Sequence, residues 1–317
     1  MKRKICLFLF CCCFPLFAEK GSWNFNLTND VVYYPFCDFI PGETHFSKIS
    51  GPLDTAAIRI TGQANYVIPT PLGNHWLLSD AHVTIQPSLQ IVPVTMRSIN
   101  KIIFTPFPFL EFEAGTSLGI GWNIGNIKGL TSLNEETKQY ENLNTFSHYY
   151  YDFWFMGTFQ FDTGAVIPGD WTHVVMLAQY QVIYKGITGL KDTGIYNWQT
   201  IPGQAKGLQY DAQIILAYQM PIVLYRAGIM TEFTAHYDGK DYGSFDENYD
   251  GDFTTILLSP FLQFKFENED TLSVLCQFSN RRSFIENHKK LTEEMYLTKI
   301  GDEWFVNMIA VSWTHYF

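Results

Sequence analysis

Large apolar residues alternate with polar or small residues along most of the chain. In residues 55–68, for example, Ile58 and Ile60 alternate with Arg59 and Thr61. A period of two is the signature of a β-strand with two different faces. The same pattern, in clear or mixed form, predicts further strands at 22–34, 81–92, 109–124, 147–162, 172–184, 208–220, 223–237, 253–267, 271–279 and 304–317.

The predicted strands are long. Most have about ten or more residues, whereas a strand of a soluble sheet has roughly five or six. A strand that crosses a bilayer obliquely needs about nine to eleven residues. Strand length therefore favours an all-β fold, a single transmembrane antiparallel β-barrel, over a soluble sandwich.

After residue 147, the connectors between predicted strands are alternately short and long. Barrels of bacterial outer membranes have short periplasmic turns and longer external loops. This alternation places Phe317 at the periplasmic rim and the long connectors outside the cell. The long connectors are 125–146, 185–206, 238–252 and 281–302.

The number of strands follows from a parity rule. Ten predicted strands lie after residue 54, and 22–34 is an eleventh. Single-chain bacterial barrels have an even number of strands. A short return strand in "GETHFSKI" (42–49) would complete about twelve. The alternative is ten strands, with residues 19–53 outside the barrel wall.

Residues 1–18 have the composition of a secretory leader. "MKRK" is a basic start, "ICLFLFCCCFPLF" is an apolar segment, and Ala18 is a small residue suited to cleavage. The apolar segment is shorter than the about twenty residues that a membrane-spanning helix needs. We therefore expect a signal peptide at 1–18 and the barrel at 19–317.

The chain is low in charge and rich in aromatic residues. Charged residues make up 16% of the sequence, aromatic residues 17%, and the formal net charge is −10. A net acidic exported protein has no electrostatic attraction for nucleic acid. Tyr and Trp near predicted strand ends are typical of the membrane–water interface. Outside the leader only Cys37 and Cys276 remain, too few for a disulfide framework.

The last predicted strand, "AVSWTHYF", resembles the C-terminal insertion signal of bacterial outer-membrane β-barrel proteins. The family pattern is a terminal aromatic residue preceded by apolar or aromatic residues at alternate positions. Phe317, Trp313, Val311 and Ile309 match this pattern, whereas His315 stands where an aromatic ring is common. The resemblance implies recognition by the barrel-assembly machinery and residence in the outer membrane of a diderm bacterium.

The polar positions of the alternating strands predict the lining of the lumen. They carry glutamines and charges of both signs, which can form the wall of a polar channel or a salt-bridged filling. Neither sign prevails, so a strongly charged solute is not indicated. The charged residues that we assign to the lumen are Arg59, Arg226, Lys265, Glu111, Asp152 and Glu232.

The acidic stretch "DENYDGD" matches the opening of a calcium-binding loop. Asp246, Asn248 and Asp250 occupy ligand positions, and the glycine that follows them allows a tight turn. The closing glutamate of an EF-hand is absent, because that position is Leu257. The alternatives are a loop site for Ca²⁺ completed by Asp252 and a solvated acidic turn. No other cofactor is indicated.

The stretch "CQFSNRR" (276–282) has a faint similarity to the motif of outer-membrane lipid hydrolases. That motif places a catalytic histidine two residues before a serine, and here the position is Gln277. A nucleophilic hydroxyl needs an adjacent base. Ser279 lacks that base at the required place, and His288 is the nearest histidine in sequence. We therefore do not expect an enzyme.

Three interpretations of function follow. The first is a monomeric, porin-like channel for small hydrophilic solutes, which is an analogy from fold. The second is a closed structural or adhesin-type barrel whose acidic external loops contact partners. The third, and the least supported by the residues, is the lipid hydrolase. The partners expected are the lipid bilayer and the barrel-assembly machinery, and no nucleic acid.

Overall fold

The computed structural model describes residues 21–317 except Trp76 and residues 289–290, so the predicted signal peptide lies outside the described residues. Twelve strands form one closed antiparallel sheet, because the first strand pairs with both the second and the last. They are β1 Ser22–Cys37, β2 Ile49–Pro69, β3 His82–Val92, β4 Thr95–Phe107, β5 Leu110–Gly121, β6 Tyr150–Asp162, β7 His173–Ile187, β8 Gly207–Gln219, β9 Leu224–His236, β10 Thr255–Lys265, β11 Thr271–Phe284 and β12 Lys299–Tyr316.

The predicted barrel of about twelve strands is confirmed, but one of its strands was missed. The sequence pattern did not predict β4, which pairs with β3 and β5 along its length. Both faces of β4 mix polar and apolar residues. The polar Ser98 and Asn100 lie on the outward face, whereas the apolar Ile99 and Ile103 lie on the inward face. Alternation between apolar and polar residues is therefore lost in this strand.

The return strand predicted at 42–49 is wrong. Only His45–Phe46 is extended there, and it lies parallel to Glu303–Trp304 of β12. β1 pairs with β12 only as far as the pair Tyr33–Ile309, so the upper part of β12 has a free edge on that side. The segment 45–46 covers this edge, which an exposed strand otherwise leaves unpaired.

The outward face of the barrel is apolar. Directly opposed residues of paired strands share a face, and the large side chains on this face are about half exposed, as for Phe153 and Phe155 (56% and 57%). The opposite, inward face carries most of the polar residues, and some of them are fully buried, such as Asp152 and Ser259, both 0% exposed. The division matches a barrel whose outer surface meets lipid and whose interior is polar.

The connectors at the two ends of the barrel differ in length. One end, here called the short-turn end, carries the connectors 70–81, 108–109, 163–172, 220–223 and 266–270. The other, the long-loop end, carries 38–48, 93–94, 122–149, 188–206, 237–254 and 285–298. Among the described residues, no helix is long and apolar enough to cross a membrane. Cys37 and Cys276 are both free.

Candidate functional site

The long loops build a second sheet at the mouth of the barrel. Its strands, in order, are Gln139–Asn142, Leu130–Asn134, Ile195–Trp198 and Ile201–Ala205. We call this four-stranded sheet the loop plug. It joins the connector after β5 to the connector after β7, which leave the barrel on either side of β6 and β7.

One face of the loop plug packs on the inner wall. Leu130, Tyr196 and Trp198 form a buried cluster with Tyr150 of β6 and Ile187 of β7. The Trp198 ring stacks on the Tyr150 ring, with centroids 4.6 Å apart and planes 7° apart. Stacked aromatic pairs of this kind add roughly 0.5–1.5 kcal/mol to the burial of their surface.

A glycine on β5 makes room for the Trp198 indole. A Cβ at Gly119 would lie 2.5 Å from the ring of Trp198. Gly119 shares the inward face of β5 with Ser117, which is buried beside Asp152. The indole therefore lies inside the barrel, against a part of the wall that has no side chain.

The other face of the plug packs on the remaining long loops. Its Tyr140, Ile195 and Ala205 cluster with Tyr242, Tyr249, Phe284 and Met295. Burial raises the pKa of Tyr140, Tyr242 and Tyr249, so these hydroxyls stay neutral near neutral pH. The plug is thus held between the β5–β7 wall and the connectors 237–254 and 285–298.

The hairpin tip of the plug reaches the adjacent part of the wall at β3 and β4. Gln199 and Thr200 connect the two strands with φ of 54° and 68°, a left-handed conformation that is uncommon for residues other than glycine. The Gln199 amide donates to Gln90 of β3 and to Thr95 of β4, both at 3.2 Å. The hairpin therefore spans the space between β7 and β3.

Asp152 is the centre of the network under the plug. Asp152 is 0% exposed and accepts hydrogen bonds from the hydroxyls of Ser117 (2.5 Å) and Tyr150 (2.9 Å). It also forms an ion pair with Arg97. The Tyr150 ring in turn stacks on the Trp198 ring of the plug. Sequence reasoning identified Asp152 but missed Arg97, because Arg97 lies on the unpredicted strand β4.

The other predicted lumen residues are spread around the inward face and do not form one cluster. Arg59 pairs with Asp30 (2.7 Å), and Lys265 pairs with Glu269 of the adjacent turn. Arg226, Glu111 and Glu232 have no ion-pair partner among the described residues. The Arg226 guanidinium donates to Gln219 (2.9 Å), and Glu232 accepts from Gln213 (3.3 Å). On the same face, Lys101 pairs with Glu113 (3.2 Å), and the Glu113 carboxylate also accepts a hydrogen bond from the Trp154 N–H (2.6 Å).

The four side chains of the predicted calcium loop face different partners. Asp246 accepts the Gly251 N–H (3.1 Å), and Asp250 pairs with Lys299 (2.7 Å). Asn248 accepts from Thr298 (3.4 Å), and Asp252 is exposed. In the described part of the chain, no three His, Cys, Asp or Glu residues are placed to hold a metal. The calcium site stays a prediction without support from these contacts.

The serine of the hydrolase-like motif has no catalytic partner in the described residues. The Ser279 hydroxyl donates to the Asn280 carbonyl (3.0 Å). His288 pairs with Glu294 (3.0 Å) and packs edge-on against Phe284. Gln277 donates to Ser259 (3.2 Å) rather than to Ser279. Nothing here activates the hydroxyl as a nucleophile.

The last strand presents its alternating residues to the outside. Ile309, Val311 and Trp313 are about 40% exposed, and the Phe317 N–H donates to the Phe25 carbonyl of β1 (3.0 Å). His315, the departure from the family pattern, has a specific partner. Its ring bonds to Asp270 (2.6 Å), a residue of the neighbouring turn that is 3% exposed.

Replacing His315 with Phe should lower the stability of the barrel, although it restores the family pattern. The substitution leaves the Asp270 carboxylate buried without its partner, which costs about 1–3 kcal/mol. We expect a lower conversion temperature of the folded band on unboiled gels. The double variant His315→Phe/Asp270→Asn is the control and should recover part of the loss. An H315F barrel as heat-resistant as the wild type would show that the pair contributes nothing.

Comparisons with known proteins find only distant similarity. No protein-family profile and no curated sequence matches the chain. Among solved structures, the outer-membrane channel DcaP of Acinetobacter baumannii is 9% identical, with a TM-score of 0.38, covering 94% of this chain and 97% of that one. OprB of Pseudomonas putida is 7% identical (TM-score 0.32, 94% of each chain). The translocator domain of NalP from Neisseria meningitidis is 7% identical (TM-score 0.33, 94% and 88%). Identities and TM-scores this low assign no function.

The class of the protein follows from its own geometry. All twelve strands pair in a closed ring, and the one stretch of β12 that β1 leaves unpaired is covered by His45–Phe46. A sheet can span lipid only when it is closed in this way. Its outer surface is apolar, its interior is mostly polar, and its longest connectors (122–149, 188–206, 237–254 and 285–298) lie at the same end. The chain is therefore a transmembrane β-barrel of the bacterial outer-membrane type.

Proposed function

We propose that the protein is a channel for small hydrophilic solutes in the outer membrane of a diderm bacterium. The observation that supports this function most directly is the composition of the inner wall. Asp30, Glu113, Asp152 and Glu303 each lie on that wall with a basic partner. A polar, charge-balanced wall can hold water and small polar solutes, which an apolar filling cannot.

The loop plug is the element that would limit passage. It lies at the end of the barrel where the long loops leave the strands, and its tip touches Gln90 of β3 and Thr95 of β4. Three of its buried polar atoms, on Thr131, Tyr196 and Asn197, have no hydrogen-bond partner among the described residues. Each such atom costs about 1–3 kcal/mol, which weakens the attachment of the plug relative to its apolar packing.

A second function rests on the same plug. A mouth filled by two packed clusters also fits a closed barrel whose acidic external loops contact partners or stabilise the envelope. In that case the polar wall serves as a salt-bridged filling. Conductance distinguishes the two functions, because only the channel passes ions.

Several further features belong to the proposal. The barrel-assembly machinery would recognise β12 through Phe317, Trp313, Val311 and Ile309, and the folded chain would act as a monomer. Calcium binding by the 246–252 loop would be an additional property of the external surface.

The proposal is tested by planar-bilayer conductance of the refolded chain. Folding is first verified by faster migration on an unboiled gel than on a boiled one. We expect stable single-channel steps, with relative permeation of neutral sugars decreasing as their size increases. A barrel that is folded by the gel criterion and gives no conductance would support the closed structural barrel instead.

A further inference from the structure

Most charges on the inner wall are neutralised by a partner on the next strand of the ring or on the one after it. Such pairs contribute little net field along the lumen, because the two charges lie within about one hydrogen-bond length of each other. The inward pairs are Arg59–Asp30, Arg97–Asp152, Lys101–Glu113, Lys185–Asp211 and Arg281–Glu303.

Two of the inward charges without a pair lie close to the short-turn end. Glu111 is the second residue of β5, and His82 at the start of β3 acts on it electrostatically. Arg226 is the third residue of β9, where its guanidinium lies over the Tyr225 ring (4.7 Å). These two charges have opposite signs, and both lie near open water, where charges are strongly screened.

Glu232 differs from both in its depth. It lies in the second half of β9, six residues beyond Arg226, and its one hydrogen-bond donor is the neutral Gln213 amide (3.3 Å). Its directly opposed neighbours are Gln213 of β8 and Leu257 of β10. The nearest like charge, Asp211, is paired with Lys185 at 3.6 Å.

The wall around Glu232 is neutral beyond these immediate neighbours. Gln213 is opposed by Gln179 of β7, and Leu257 is opposed by Ser279 of β11. Toward the long-loop end, His236 bonds to Asp241 at 2.7 Å, and Asp241 belongs to the connector 237–254 rather than to a strand of the wall. Glu232 is therefore a single uncompensated carboxylate within a neutral part of the lumen.

We propose that Glu232 makes the channel selective for cations. The inference rests on the proposed channel function. A fixed charge in a narrow, low-dielectric passage focuses its field along the axis, raises the local concentration of counter-ions and excludes ions of its own sign. Small cations and neutral solutes would therefore pass more readily than anions, although the chain as a whole shows no excess of one sign along the wall.

Reversal potentials across a KCl gradient at pH 8 test this assignment. In the wild type we expect K⁺ to be favoured over Cl⁻ by about threefold to tenfold, the scale of one unit charge acting over several ångströms. Glu232→Gln, which keeps the side-chain shape, should bring the ratio to about one, and Glu232→Lys should invert it. Glu267→Gln, at an exposed residue of the turn after β10, is the matched control and should leave the ratio unchanged.

The outcomes separate the selectivity from the channel itself. A wild-type barrel that is folded but never conducts would overturn both. Steady conductance with the same ion preference in the wild type, E232Q and E232K would overturn only the role of Glu232. A loss of preference in Glu111→Gln, with none in E232Q, would assign selectivity to the short-turn end instead.

Discussion

Replacing Trp198 with alanine will raise the mean single-channel conductance several-fold and prolong the open periods. Trp198 is 4% exposed, stacks on Tyr150 and fills the space above Gly119. Truncating a buried aromatic residue costs about 3–5 kcal/mol where the surroundings cannot collapse. The substitution therefore destabilises the state in which the plug is docked in the mouth. It has little effect on a state in which the plug is withdrawn, so the open state becomes more populated.

The control for this experiment is Trp171→Ala. Trp171 lies in the 163–172 turn, at the opposite end of the barrel, and is 54% exposed. The same change of side chain there should leave conductance at the wild-type value. A second variant, Gln199→Ala, removes only the contacts of the tip with Gln90 and Thr95 and should have a smaller effect of the same sign.

Two results would contradict this role of the plug. The first is a folded Trp198→Ala barrel whose conductance equals that of the wild type. The second is an equal increase in the Trp171→Ala control, which would reflect a general loosening of the barrel. Heat conversion on unboiled gels shows whether each variant is folded before the recordings are compared.

The barrel was predictable from the sequence because the alternation of apolar and polar residues can be recognised in each strand separately. Each strand carries its own apolar outer face, so most of the wall could be identified without knowledge of its neighbours. The exception, β4, has Ser98 and Asn100 outside and Ile99 and Ile103 inside. Parity required an even number of strands, twelve or ten, but it could not show that a missing strand was 95–107 rather than 42–49.

The loop plug was not predictable in the same way. Its strands are short, and the pair Tyr196–Ser132 joins residues from two different connectors. Its clusters add residues from two further long connectors. Nothing local in "IYNW" indicates that Trp198 stacks on Tyr150, because that contact depends on the tertiary arrangement. The alternation of apolar and polar residues assigned Asp152 to the lumen. Its ion pair with Arg97 could not be predicted, because Arg97 lies on the strand β4 that was missed.

Replacing Glu303 with alanine will open the β1–β12 seam at the long-loop end. Glu303 is 1% exposed and accepts from the Ile40 N–H (3.1 Å), from Arg281 (2.5 Å) and from the His45 ring (3.2 Å). It therefore fixes the segment that covers the free edge of β12. Removing one member of a buried ion pair costs about 3–5 kcal/mol, because the other charge stays buried without compensation.

We expect Glu303→Ala to lower the conversion temperature on unboiled gels and to make residues 38–48 the first site of proteolysis. Glu267→Ala, an exposed glutamate of the turn after β10, is the matched control and should behave as the wild type. The double variant Glu303→Ala/Arg281→Ala should lose less stability than the sum of the two single variants, since the uncompensated guanidinium is removed as well. Additive losses would mean that Glu303 and Arg281 act independently. Unchanged proteolysis in E303A would mean that the segment 38–48 is held by its other contacts, such as Ser47 with Asp38 and Trp304.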